Sequence, residues 1–160
     1  MRITHTLEVG DLSDVVKQHG VLYAKEYGYD HTFEAYVAEP LAQFVKRQNP
    51  RERIWIVKNA NEFVGCICIC ELSQTQAQLR WFTLAPSARG QGLGKTLMDK
   101  ALSFSVEQGY QKVVLWTVKG LAVSSALYVR YGFAITQEIE HELWGKMQVE
   151  QCYEKSLCDG

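Results

Sequence analysis

The chain has 160 residues, with 17 Lys plus Arg against 18 Asp plus Glu and 47% hydrophobic residues. That length and composition predict one packed domain over residues 1–160 and exclude a disordered chain. A net charge of −1 argues against a nucleic-acid partner, which needs a clustered basic surface, and no apolar run is long enough to cross a membrane. The opening stretch MRITHTLEVGDLSD lacks the apolar core of a secretory leader, so a cytoplasmic location is expected.

Residues 2–8 alternate weakly and read as a first strand. Asp11 or Ser13 is placed to cap a helix that carries Leu12, Val15, Val16, His19, Leu22 and Tyr23 on one stripe, and Gly28 ends it. A second helix starts near Asp30, carries Phe33, Tyr36, Val37, Leu41, Phe44 and Val45, and stops before Asn49-Pro50. Pro40, Pro50 and Pro86 read as marks where segments change. The period then becomes two. Ile54 and Ile56, then Phe63–Cys70, make two strands around the hairpin turn Asn59-Ala60-Asn61-Glu62. Cys66, Cys68 and Cys70 share one strand face there, as small core fillers. Their spacing suits neither a disulfide nor a zinc knuckle, and the four histidines have no ligand spacing, so no metal is expected.

Leu79, Trp81, Phe82 and Leu84 form the next strand, ended by Pro86. Helical spacing returns from Gly94 to Glu107 and closes at Gly109. Lys112–Val118, too apolar for a one-sided strand, predicts a central strand covered on both faces. Ala122–Tyr131 is a further helix, and Phe133–Glu140 and Met147–Lys155 are two final strands joined by a loop with Trp144. The order predicts an α/β fold with a mixed, mostly antiparallel sheet of six to seven strands and helices on both faces.

The chemistry concentrates in Leu84-Ala85-Pro86-Ser87-Ala88-Arg89-Gly90-Gln91-Gly92-Leu93-Gly94-Lys95. A strand ends, and alternate glycines open a helix whose first N–H groups lack internal partners and carry the positive end of the helix dipole. Such a place binds phosphate, and Arg89 and Lys95 add charge around it. The plain alternative is a tight turn without a ligand. A nucleoside-triphosphate loop is disfavoured because Arg89 stands where its first glycine belongs and Gly90 is one residue too close. A dinucleotide fingerprint fails as well, since its third glycine would be residue 95, which is lysine.

The pattern Arg-x-x-Gly-x-Gly at Arg89–Gly94, after a strand and opening a helix, resembles the GCN5-related N-acetyltransferase (GNAT) superfamily. Ala126-Leu127-Tyr128-Val129-Arg130-Tyr131-Gly132-Phe133 is similar to that family's late helix and the step into the following strand. His19–Tyr23, Glu26–Asp30 and Phe33–Ala35 resemble a bacterial branch that includes acetyltransferase domains fused to MarR-type regulators.

The resemblance implies an acyl-CoA N-acyltransferase-like fold, acetyl-CoA as donor co-substrate, no metal, and direct attack by an amine in a ternary complex. The amine belongs to a small molecule or a peptide. The cofactor-binding residues implied are Leu84, Arg89, Gly90, Gln91, Gly92, Leu93, Gly94 and Lys95, with pantetheine inserted between the strand ending at Leu84 and the strand Lys112–Val118. By position, Tyr128 matches the tyrosine that protonates coenzyme A sulfur; its other reading is an aromatic packed between helix and sheet. The strand before the glycine loop has no acid, so Glu71 is the candidate base by chain position, with Glu26, Asp30, Glu34 or a water chain as alternatives. An acceptor pocket is expected between the first two helices and the loop before the last strand, lined by Glu26, Tyr27, Tyr29, Asp30, Phe33 and Glu34 with Trp144 and His141 opposite. A noncatalytic acyl-CoA-binding regulatory module is the alternative function, and a homodimer stays open.

Overall fold

In the computed structural model, which describes residues 1–158, seven strands form one sheet in the order β1-β2-β3-β4-β5-β7-β6. The strands are β1 (Arg2–Thr4), β2 (Arg53–Asn59), β3 (Glu62–Glu71), β4 (Gln76–Leu84), β5 (Lys112–Val118), β6 (Ala134–Leu143) and β7 (Lys146–Ser156). The helices are α1 (Asp11–Tyr27), α2 (Thr32–Arg47), α3 (Leu93–Glu107) and α4 (Ala122–Arg130). Neighbouring strands run antiparallel except β4 and β5, which are parallel, so the expected mixed α/β sheet is present.

Both faces of the sheet are covered. Leu97, Met98, Ala101 and Phe104 of α3 pack with Tyr128 of α4 on Ile67, Ile69 and Leu115. Opposite, Val15 of α1 and Phe33, Val37, Leu41 and Phe44 of α2 cover Ile54, Ile56 and Trp81. Period-two alternation sends Cys66, Cys68 and Cys70 to this second core, where they are free thiols. Burial raises the Cys66 thiol well above its ordinary range, so it stays protonated and inert.

Three local expectations need correction. The first strand is only Arg2–Thr4, because the chain leaves β2 after pairing Thr4 with Ile56. Neither Asp11 nor Ser13 caps α1; Gly10 does, at φ 97°, and Asp11 is a buried first-turn residue. Its carboxylate accepts from the Glu8 N–H at 2.8 Å and pairs with Lys58 at 2.9 Å, tying α1 to β2. Pro40 lies inside α2 and marks no boundary. An interior proline removes one backbone hydrogen bond, yet the packed stripe Val37, Leu41 and Phe44 holds the helix through it.

An irregularity in β4 re-aims the second half of that strand. Cys66 opposes Thr83 and Cys68 opposes Arg80, so β4 holds one extra residue over that stretch. Trp81 takes up the bulge at φ 49°. Trp81 packs in the core beneath α2, while Phe82 and Leu84 pack on the α3 side. No helix among the described residues is long and apolar enough to cross a membrane.

Candidate active site

A 3₁₀ turn, Pro86–Ala88, turns the chain out of β4, and α3 begins at Leu93. Gly90 and Gly92 are left-handed, at φ 76° and 79°, and a Cβ on either would meet no atom within 4 Å. The loop backbone is therefore bare toward open space. The first bond that closes α3 is Thr96 N–H to the Gly92 carbonyl, at 3.1 Å. Among the described residues, the N–H groups of residues 90–95 find no acceptor. Free amides at the positive end of a helix form a cradle for a phosphate oxygen.

This cradle opens on a groove of about 630 Å³ walled by Leu84, Lys95, Ser124, Leu127 and Arg130. Arg89 also lines it, but its guanidinium is engaged with both carboxylate oxygens of Glu26 at 2.8 and 2.9 Å, and it donates to the Leu84 carbonyl at 3.1 Å. That contact with Arg89 holds the Glu26 carboxyl below its usual range. Gln91 donates its side-chain amide to Ser87 and so braces the loop.

β4 and β5 pair only at Gln76–Lys112, Ala77–Val113 and Gln78–Val114. Beyond Gln78 they separate, at the point where the bulge re-aims β4. The β4 edge from Leu79 to Leu84 then has no strand partner on its β5 side, and such an edge is a template for an extended ligand. The bare amides, the adjoining Lys95 and Arg130 and this open edge together suit a diphosphate joined to an extended arm such as that of acetyl-CoA.

The separation of the strands leaves a second, inner cavity of about 110 Å³. Tyr23 and Phe82 line both spaces and stand as a common wall between the groove and the cavity. Tyr128 lies in the inner one, packed against Phe133 and Tyr153 at ring separations of 6.0 and 5.6 Å. Its hydroxyl has no hydrogen-bond partner among the described residues, and burial raises its pKa well above that of an ordinary phenol. A proton on Tyr128 is thus retained through the whole neutral range.

The sequence-predicted site residues divide into three groups. Leu84, Arg89, Gly90, Gly92, Gly94 and Lys95 come together at the groove, with Gln91 and Leu93 inside the same loop. Tyr128 is brought next to them through Tyr23 and Phe82. Glu71 is not. It pairs with Ala77 near the start of β4, forms an ion pair with Arg51, and lies at the opposite end of that strand from Leu84. Glu71 lines neither space and is paired with Arg51 at the sheet edge.

The expected acceptor lining is partly assembled. Tyr29, Phe33 and Trp144 line the inner cavity, whereas Glu26 and Tyr27 line the groove. Asp30, Glu34 and His141 line neither; Asp30 instead accepts from Thr32 at the start of α2. Among the residues outside that expectation that line the cavity are His19, Arg80 and Glu150. His19 donates Nδ1–H to the Val15 carbonyl at 2.8 Å, and burial lowers its pKa to about 4, so it is neutral with Nε2 as the acceptor. Glu150 accepts from His141 Nε2 at 3.1 Å. Polar residues breaking the apolar rhythm of a helix or strand were the available signal, but many solvent-facing residues do the same. Among the described residues, no group of three or more His, Cys, Asp or Glu is placed to hold a metal.

Solved structures share this architecture. An acetyltransferase from Streptococcus agalactiae superposes with a TM-score of 0.78 at 20% identity, over 98% of each chain. The structure of yncA from Salmonella typhimurium, determined with its cofactor acetyl-CoA, superposes at 0.77 with 15% identity, over 100% of this chain and 95% of that one. At those identities the likeness is one of fold. An uncharacterized N-acetyltransferase of Schizosaccharomyces pombe is 27% identical over 122 residues, 74% of each chain. The N-acetyltransferase 8 of Rattus norvegicus is 35% identical over 91 residues, 52% of this chain, and the match spans only 40% of the rat protein. The Acetyltransferase (GNAT) family profile matches residues 20–133. That match runs from within α1 to the step after α4, well over half of the length, and the chain therefore belongs to the GNAT family of acetyltransferases.

Proposed function

We propose that this protein transfers the acetyl group of acetyl-CoA to the amine of a small acceptor held in the inner cavity, by direct attack with both substrates bound. The observation that carries this reading is that the groove of the bare amides at residues 90–95 and the cavity of Tyr128 adjoin, with Tyr23 and Phe82 as walls of both. When bound, acetyl-CoA supplies an activated acyl group whose carbonyl carbon is open to an amine.

The amides of residues 90–95, with Lys95 and Arg130, bind the diphosphate, and the free β4 edge orients the extended arm toward the cavity. A β4 backbone N–H near Leu84 polarises the acyl oxygen. Glu150, a carboxylate lining the inner cavity, attracts the acceptor's ammonium and takes its proton, in place of Glu71. As the carbon–nitrogen bond forms and the carbon–sulfur bond breaks, Tyr128 Oη gives its proton to the departing sulfur.

The test is release of free thiol from acetyl-CoA across a panel of amines. Acceptor-dependent release that falls about 10²-fold in Tyr128→Phe, with acetyl-CoA binding intact, supports the reading. Tight acetyl-CoA binding with no release for any amine overturns it in favour of a noncatalytic acyl-CoA-binding module.

A further inference from the structure

The inner cavity contains a cation without a counter-ion. Arg47, Arg51 and Arg89 each meet a carboxylate, Glu52, Glu71 and Glu26 respectively. Arg80 lines the cavity, is only partly exposed, and its side chain forms neither an ion pair nor a hydrogen bond among the described residues. Its guanidinium lies over the Trp81 ring, 4.9 Å from the centroid, which fixes its plane without neutralising its charge. A partly buried guanidinium in a pocket, with its donors unused, matches an oxyanion presented by a ligand.

The surrounding groups make the match more specific. Arg80 and Glu150 both act on the Tyr36 hydroxyl, the first lowering and the second raising its pKa, so opposite charges face one polar spot. The two do not form an ion pair with each other, and Glu150 meets His141 instead, so Arg80 is left for the negative end of a ligand carrying both signs. Arg80 is two residues along β4 from Phe82, a wall of both spaces, a short span that turns through the bulge at Trp81. A few bonds between an amine and a carboxylate cover that span once the long arginine side chain is included.

We infer that the acceptor is an amino carboxylate: its amine faces Glu150 and the groove junction, and its carboxylate pairs with Arg80. This rests on the acetyl-transfer reading above and names the substrate class of the same cavity. Arg80 is a specificity-determining residue that touches the acceptor away from the reacting atoms.

The experiment compares glycine, alanine, β-alanine and 4-aminobutanoate with their carboxamides and with plain alkylamines, in the wild type, Arg80→Gln and Arg80→Lys. Thiol release is one readout. The other is binding of the N-acetyl carboxylates and their amides, followed by tryptophan fluorescence, since Trp81, Trp116 and Trp144 line the cavity. The inference predicts that at least one amino carboxylate is preferred over its amide. Arg80→Gln raises its KM about 10- to 100-fold while leaving kcat and acetyl-CoA binding near wild type, and Arg80→Lys restores part of the loss. Equal transfer to amines with and without the carboxylate, unaffected by Arg80→Gln, overturns the inference and leaves the acetyl-transfer reading standing. No transfer to any amine, with fluorescence binding of N-acetyl carboxylates that Arg80→Gln abolishes, supports the carboxylate site and overturns the transfer reading. Neither transfer nor carboxylate binding overturns both.

Discussion

Two side chains of the inner cavity are set by burial in opposite ways. Desolvation disfavours the charged form, so it raises the pKa of the Tyr128 phenol and lowers that of the His19 imidazole to about 4. Tyr128 therefore stays protonated, and His19 stays neutral, across the neutral range. The pH profile of kcat/KM should then show no inflection near 6.5 from His19 and no falling limb from Tyr128 below pH 10; initial rates between pH 5 and 10 check this. Stability carries the same signature. Between pH 6.5 and 4 the unfolded chain binds a proton at His19 that the folded chain refuses, so stability is full above pH 6.5 and declines as pH falls toward 4. The loss is up to roughly 3 kcal/mol, and His19→Gln should flatten that part of a denaturation-against-pH series. Glu150→Gln should leave folding intact and lower kcat about 10²-fold, measured by thiol release.

At the scale of elements, the loop before α3 and the bulge in β4 build the site between them. Gly92 is left-handed with open space where a side chain would stand. Gly92→Ala should cost about 1 kcal/mol in backbone strain and place a methyl group over the cradle. Its acetyl-CoA Kd, read by calorimetry, should rise about 10-fold while Tyr128 chemistry at saturation is retained. The glycine pattern and the helix it opens were visible in the residues Arg89–Lys95 because both depend on near neighbours only. The bulge was not. Leu79, Trp81, Phe82 and Leu84 read as one apolar strand, and nothing local says that Trp81 takes φ 49° and shifts the register against β3. Pro40 shows the same limit from the other side: local propensity marks a break, and packing of α2 on the sheet overrides it.

Across the molecule, α1 and the glycine loop are joined by the Glu26–Arg89 pair, which ties up a cation next to the bare amides of residues 90–95. Exposed pairs of this kind contribute little to stability, so its consequence is for binding. Glu26→Gln should free the Arg89 guanidinium and tighten acetyl-CoA by about 2- to 5-fold at low salt, an advantage that fades as ionic strength rises; Kd measured over a salt series checks it. By itself the sequence determined the order of elements, the mixed sheet covered on both faces and the glycine loop that opens α3, because these follow from residue patterns along the chain, while Tyr128 was singled out by resemblance to a family motif. The tertiary structure alone decided which acids and cations reach the cavity. Glu71 is carried to the far end of β4, while His19, Arg80 and Glu150 converge from α1, β4 and β7. Such convergence depends on where strands separate and helices dock, a long-range outcome that no stretch of neighbouring residues encodes.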